Sequence, residues 1–409
     1  MTILTPVLAL AMLALFSGAV AEHHENACDT GDSDLKVPDG FCARLVAEGL
    51  GPLGHIGVTE HGDVYAAIQD TQEQTGGIAG LRDTSDDGRL DEQVRFGERG
   101  GIGLTVRGRW LYFAEPQRIL RVPLHPERLG PEDNPAVVAH GLPDTGAPRS
   151  LVVGDEVVLA SIAATSRTCE TNGGDEAKGE DPCQERDNAA GIWRFGIQEP
   201  GQNPSDRAPY AAGVRDATAM AWNPRDGRLF AVDNTAGDGT AEAPRARGVL
   251  RIDANSDYGW PYCFFDADRG EYLQAPAYGG DGDSNQGCSP FEKPLFELPD
   301  DRVATALLFY RGHEFPERYR KAAFVALSNK EGDNASSPRV AILPLGDNGQ
   351  PTGEQETFAE GFSAGEVSDA RRILGVAQGA GDELYISDSL EGRIWRVDYV
   401  GDAHTGASK

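Results

Sequence analysis

Chemistry in this chain concentrates in a few short runs. Asp83-Thr84-Ser85-Asp86-Asp87-Gly88-Arg89-Leu90-Asp91 sets oxygen-bearing side chains at alternate positions before a turn-forming glycine, as calcium-binding loops do. Asp83, Ser85, Asp87 and Asp91 are the candidate ligands. Val94 stands where an EF-hand carries its bidentate glutamate, so that motif is excluded and an acidic surface turn is the other reading. Tyr258-Gly259-Trp260-Pro261 makes a rigid corner with a flat apolar face, suited to packing or to stacking on a planar or sugar ring. Gly361-Phe362-Ser363-Ala364-Gly365 spells a nucleophile elbow, but no helical period follows it and the match reads as chance. The chain contains no H-E-x-x-H and no phosphate-cradling glycine loop, which excludes zinc-protease and nucleotide-binding readings. It also lacks C-x-x-C and C-x-x-C-H, so neither a zinc site nor attached haem is indicated.

The elements that must position these runs are announced by a recurring phrase. A glycine-punctuated hydrophobic run leads to a small-apolar strand, a Gly turn, and a strand ending in acidic or small residues. Ala47-Glu48-Gly49-Leu50 leads to Gly62-Asp63-Val64-Tyr65, Ala212-Gly213-Val214 to Gly227-Arg228-Leu229-Phe230, and Ala359-Glu360-Gly361-Phe362 to Gly381-Asp382-Glu383-Leu384-Tyr385. Weaker copies begin at Ala139-His140-Gly141-Leu142 and at Gly97, and a degenerate one surrounds Phe309-Tyr310. Units of a few short strands repeated in this way specify an all-β, six-bladed β-propeller, whose loops surround a central funnel. The pattern predicts blades over 41–80, 83–121, 136–197, 210–261, 305–345 and 354–399. An acidic insert at 170–188 interrupts the third, and a Gly-, Pro- and Asp-rich connection at 263–301 is long enough to wall the funnel.

Val7 to Val20 is apolar but short for a bilayer span, and Ala19-Val20-Ala21 before Glu22 fits a signal-peptide cleavage site. The expected organisation is a signal peptide at 1–21, a polar lead at 22–40, the propeller at 41–400 and a tail at 401–409. A secreted or periplasmic protein follows. Its six cysteines all lie beyond the cleavage site, and their spacing suggests Cys28–Cys42, Cys169–Cys183 and Cys263–Cys288, with other connectivities permitted. The formal charge of -28 repels phosphate backbones and anionic lipid, so neither nucleic acid nor membrane is an expected partner. Asn334-Ala335-Ser336 fits a glycosylation acceptor.

Gly213-Val214-Arg215-Asp216, Ala219-Met220-Ala221-Trp222, Tyr258-Gly259-Trp260-Pro261, Phe309-Tyr310-Arg311-Gly312 and the closing Leu384-Tyr385-Ile386-Ser387-Asp388 with Gly392-Arg393-Ile394-Trp395-Arg396-Val397 together resemble the glucose/sorbosone dehydrogenase family. The resemblance covers nearly all of the chain beyond the leader. It implies a propeller holding pyrroloquinoline quinone (PQQ) in the funnel, with calcium polarising its carbonyls and a histidine removing the sugar hydroxyl proton. Sugar or polyol substrate and an external cytochrome acceptor are the implied partners. Arg215, Lys330 and Arg372 fall where the family binds the cofactor. Its calcium is held by backbone carbonyls at the loop matching Thr235 and Ala236.

At the position of the family's catalytic histidine this chain has Gly146, and no histidine lies between His140 and His313. Asp216 follows the clamp arginine in place of asparagine, and Glu98 replaces a glutamine of blade two. Added carboxylates oppose a tricarboxylate cofactor, but Glu98 and Asp216 are also candidate replacement bases or calcium ligands. His55, in an inner strand of the first blade, is either directed at the funnel or a hydrogen-bonded structural residue; His140 and His313 read as structural. Three functions stay open: a PQQ-dependent sugar dehydrogenase-like oxidoreductase with an altered or lost base, a non-catalytic carbohydrate- or protein-binding propeller, and a calcium-dependent lactonase-type hydrolase.

Overall fold

The computed structural model describes residues 33–170, 178–235, 247–288, 291–298, 302–329, 337–362, 372 and 374–401. The expected signal peptide at 1–21, Cys28, Ala236, Lys330, the Asn334-Ala335-Ser336 acceptor pattern and Ser363 of the elbow-like pattern lie outside them.

Six sheets, each with four antiparallel strands, form the blades of a propeller, and that of blade 3 gains a fifth, parallel strand. From the axis outward, blade 1 is Leu53–Val58, Val64–Ile68, Gly77–Arg82 and Glu92–Phe96, and blade 2 is Gly103–Arg107, Trp110–Ala114, Arg118–Pro123 and Ala136–His140. Blade 3 runs Leu151–Val153, Val157–Ile162, Gly191–Gly196 and Ala211–Ala212, and blade 4 runs Ala217–Trp222, Leu229–Asp233, Arg247–Ile252 and Phe296–Leu298. Blade 5 is Arg302–Phe309, Ala322–Asn329, Arg339–Pro344 and Glu356–Glu360. Blade 6 combines Leu374–Gln378, Leu384–Asp388 and Arg393–Tyr399 with Phe41–Ala47 from the start of the propeller.

That last pairing shifts every blade relative to the sequence reading. Phe41–Ala47, expected to open the first blade, is the outer strand of the last, with Phe41 opposite Tyr399 and Leu45 opposite Trp395. Recurring phrases fix the repeat length but not its phase, and closure of the ring decides the phase. Sharing one blade between both ends of the chain leaves no terminal blade with an exposed inner edge. Phe41 locks the junction, with its ring 4.7 Å from Phe315, 4.9 Å from Tyr319 and 5.2 Å from Phe358, all edge-on.

The core is distributed between blades. Ala219, Phe230 and Val249 of blade 4 share a buried cluster with Leu307, Val325 and Leu343 of blade 5, because the two faces of each radial sheet meet different neighbours. Near the axis the inner strands approach so closely that side chains are excluded. A Cβ on Gly103 would lie 2.0 Å from the Arg149 carbonyl oxygen, and one on Gly54 would lie 2.6 Å from that of Ile102. Glycine supplies that clearance.

Two insertions rise on one side of this ring. The chain leaving Arg247–Ile252 climbs the outer edge of blade 3, where Ala211 and Ala212 pair in parallel with Ser256 and Asp257. It then turns through Tyr258 and Trp260 into the hairpin Cys263–Asp266/Glu271–Gln274. Cys169–Cys183 and Cys263–Cys288 are both formed, as their spacing suggested. Cys42 is also disulfide-bonded. Among the described residues no helix is long and apolar enough to cross a membrane.

Candidate functional site

In each blade the innermost strand begins, and the second strand ends, at the same end of the axis. Two sets of residues therefore converge on one rim. Strand starts bring Arg149, Arg215 with Asp216, and Arg372, while strand ends bring Glu115, Asp233 with Thr235, and Asp388. The resemblance-derived positions Arg215, Arg372, Thr235 and Asp216 thus reach this rim by topology.

Arg215 is half-buried, and its Nε donates to the Ser166 carbonyl at 2.8 Å. Among the described residues it has no carboxylate within ion-pair distance. The loop that meets it is clamped from behind: Trp260 Nε1 donates to the Arg167 carbonyl at 2.8 Å, and the Tyr278 hydroxyl to that of Thr168 at 2.9 Å. Trp260 itself is buried against Cys169 and Cys183, so the aromatic corner works here as a strut for the insert.

Beside Arg215, the Asp216 backbone N–H donates to Asp233 Oδ1 at 3.3 Å. The same oxygen accepts from the Thr235 backbone N–H at 3.0 Å and from its hydroxyl at 2.5 Å. Burial pushes the Asp233 carboxyl above its ordinary range, partly offset by the Thr235 hydrogen bonds and reinforced by the negative charge of Asp216. The sequence reading missed Asp233, although the repeat phrase ends its strands in just such acidic residues.

Arg372 is in a different state. Buried at 7 % exposure, it donates from Nε to Asp388 Oδ1 at 2.8 Å, and its Nη2 pairs with the other oxygen of the fully buried Asp388. Its charge is offset inside the protein. The sequence counted this arginine as a free cation because Asp388, on the neighbouring strand of blade 6, is visible as its partner only in three dimensions.

The remaining candidates are mostly exposed. Glu98 is exposed and lines a shallow depression with Asp70, Glu73 and Arg99, between the end of the second strand of blade 1 and the start of the innermost strand of blade 2, and so at the same end of the axis. Gly146 is exposed, with φ of +66° and open space where a side chain would project. Asp83, Ser85, Asp87 and Asp91 occupy the turn joining the two outer strands of blade 1. There Asp83 accepts from the N–H groups of Ser85 and Gly88, Asp87 from that of Arg89, and Asp91 from Thr84. Their oxygens hold the turn's own backbone, and among the described residues no group of three or more His, Cys, Asp or Glu is placed to hold a metal. His140 and His313 are exposed.

His55 settles as a structural residue. Its Nε2 donates to the Thr305 carbonyl at 2.7 Å, joining blade 1 to blade 5 past the intervening blade 6. Burial lowers its pKa, which keeps the ring neutral. A carbonyl only accepts, so the proton sits on Nε2. His55 also lines a cavity of about 690 Å³ that opens around the exit ends of the inner strands, opposite the charged rim.

No family model matches the chain. A curated relative, an uncharacterized protein of Borreliella burgdorferi, is 25% identical over 196 residues, 46% of this chain and 48% of that protein, so the match spans about half of the relative's length. The calcium structure of a carbohydrate-active enzyme of family AA12 from Trichoderma reesei superposes with a TM-score of 0.73 at 14% identity, over 92% of this chain and 99% of that one. The holo form of the pyranose dehydrogenase PQQ domain from Coprinopsis cinerea gives 0.68 at 15% identity, over 89% and 97%. PQQ-bound aldose sugar dehydrogenase from Streptomyces coelicolor gives 0.54 at 18% identity, over 89% and 99%. The chain has the fold of these proteins, in agreement with the family its sequence resembles.

Proposed function

We propose that the protein is an exported, PQQ-dependent sugar dehydrogenase-like oxidoreductase in which a carboxylate pair, Asp216 with Asp233, stands in for the histidine base. The observation that carries this reading is the juxtaposition, on one rim, of a guanidinium without a described acidic partner and a half-buried carboxyl of raised pKa. The residues fit the quinone at one end: Arg215 is a cation open to a carboxylate, while Arg372 brings N–H donors whose charge Asp388 already offsets. Lys330, the remaining clamp position, would add the second full charge. Asp216 and the Thr235 carbonyl offer hard oxygen donors that calcium takes, with Asp233 left to act as the base.

When bound, the quinone would supply the two-electron acceptor. The protein's own part is then positional and basic. Arg215 would hold a carboxylate, and the loop braced by Trp260 would fix Arg215. Asp233 is a stronger base than an ordinary aspartate and would, with Asp216, draw the proton from a substrate hydroxyl. Two formed disulfides support an oxidising compartment.

One observation favours a second reading, a propeller that binds carbohydrate or protein without turnover: the Arg372–Asp388 pair removes a cation that a tricarboxylate would use. Titration of the calcium-loaded protein with PQQ, followed by tryptophan quenching, separates the two, with dye reduction under a panel of aldoses as the second step. Saturable one-to-one binding and sugar-dependent dye reduction are expected. Absence of binding sinks the quinone reading and directs the search to glycans and lactones.

A further inference from the structure

Arg149 stands at the same step of its blade as Arg215 and Arg372, immediately before the innermost strand Leu151–Val153. It was not among the sequence-derived candidates. Its side chain is buried to 6 % exposure between blades 2 and 3. Nη2 donates to the Pro143 carbonyl at 2.9 Å and Nη1 to that of Pro116 at 3.3 Å, while the buried Nε has no hydrogen-bond partner. Among the described residues no carboxylate lies within ion-pair distance of it, and the exposed Asp144 acts on it only through space. Glu115, buried at the neighbouring strand end, is bonded to Arg118 instead, at 2.7 Å.

A guanidinium withdrawn from water without a counter-charge is costly, and burial pulls the Arg149 pKa down to about 10. Two neutral carbonyls account for only part of its donor set. At this rim Arg372 has its own aspartate and Arg149, among the described residues, has none, which inverts the roles the sequence suggested.

We propose that Arg149 is an anion-binding residue of the rim, the cation that completes the clamp in place of the internally neutralised Arg372, with a carboxylate or similar oxyanion of the bound ligand as its counter-charge. This rests on the quinone reading for the identity of the ligand but not for the presence of an anion site.

The test uses the full-length mature protein and its Arg149→Gln and Arg149→Lys variants, titrated with PQQ by tryptophan quenching and with inorganic sulfate by thermal shift. Arg149→Gln is expected to weaken PQQ binding at least tenfold and to abolish sulfate-dependent stabilisation, with Arg149→Lys recovering part of both. In anion-free buffer Arg149→Gln is expected to melt at or above the wild-type temperature, because an uncompensated buried charge has been removed. A residue that merely ties Pro116 to Pro143 predicts the reverse: a lower melting temperature and unchanged anion affinity. Unchanged affinity for both probes in Arg149→Gln overturns the proposal. If the wild type ignores PQQ but is stabilised by sulfate through Arg149, the anion site stands and the quinone reading alone fails.

Discussion

Replacing Asp388 by Asn tests how charge is partitioned on the rim. Asp388 is fully buried, accepts from Nε and Nη2 of Arg372 and also accepts the Leu390 N–H at 3.0 Å. Asparagine preserves the shape but removes the carboxylate charge that Arg372 Nε and Nη2 meet. Breaking one side of a buried pair costs about 3–5 kcal/mol, a large share of the roughly 5–15 kcal/mol by which domains are stable. With a guanidinium chloride m-value of about 5 kcal/mol per molar, the midpoint should fall by about 0.6–1 M. Replacing both partners by apolar residues of similar size, Asp388→Leu with Arg372→Met, should recover most of the loss, because the desolvation cost disappears with the charges. The reasoning is refuted if the single variant loses less than about 1 kcal/mol, or if the two single losses simply add in the double variant.

Asp233 carries a pH signature. Its folded carboxyl is raised above the unfolded value, so the native state holds a proton there that the unfolded chain has released. Its contribution to stability is present below the unfolded pKa near 3.8 and is lost as pH rises through the folded value. Asp233→Asn should flatten the fall in stability across the acidic range and leave the protein at least as stable as wild type at neutral pH; denaturant melts from pH 4 upward measure this. It should also abolish dye reduction in a protein that still binds PQQ. Phe41→Ala should cost about 3–5 kcal/mol by emptying the aromatic cluster that closes blade 6, and hydrogen exchange should localise the loosening to Phe41–Ala47 and Arg393–Tyr399.

The repeat phrase was sufficient for the fold. A strand period of two, glycine turns and acidic strand ends recurring through the chain have few solutions other than a closed ring of small sheets. The two local disulfides were equally legible, because short loops favour near neighbours in sequence. The topology that gathers Arg215, Asp216, Thr235 and Arg372 at one rim follows from the repeat as well, since every unit starts and ends its inner strands at the same end of the axis.

Tertiary structure alone decided the charge state of that rim. Nothing in Arg371-Arg372 or in Ser387-Asp388 says that one buried pair would consume the clamp cation. Likewise, nothing in Pro148-Arg149 says that its arginine would be buried facing two carbonyls. Ring closure, too, is invisible to a repeat, because translation along a sequence has no preferred starting point whereas a circle must be joined somewhere. Local sequence sets conformation through short-range sterics and hydrogen bonding. Which charge meets which is set by contacts between blades, separated by tens to hundreds of residues along the chain.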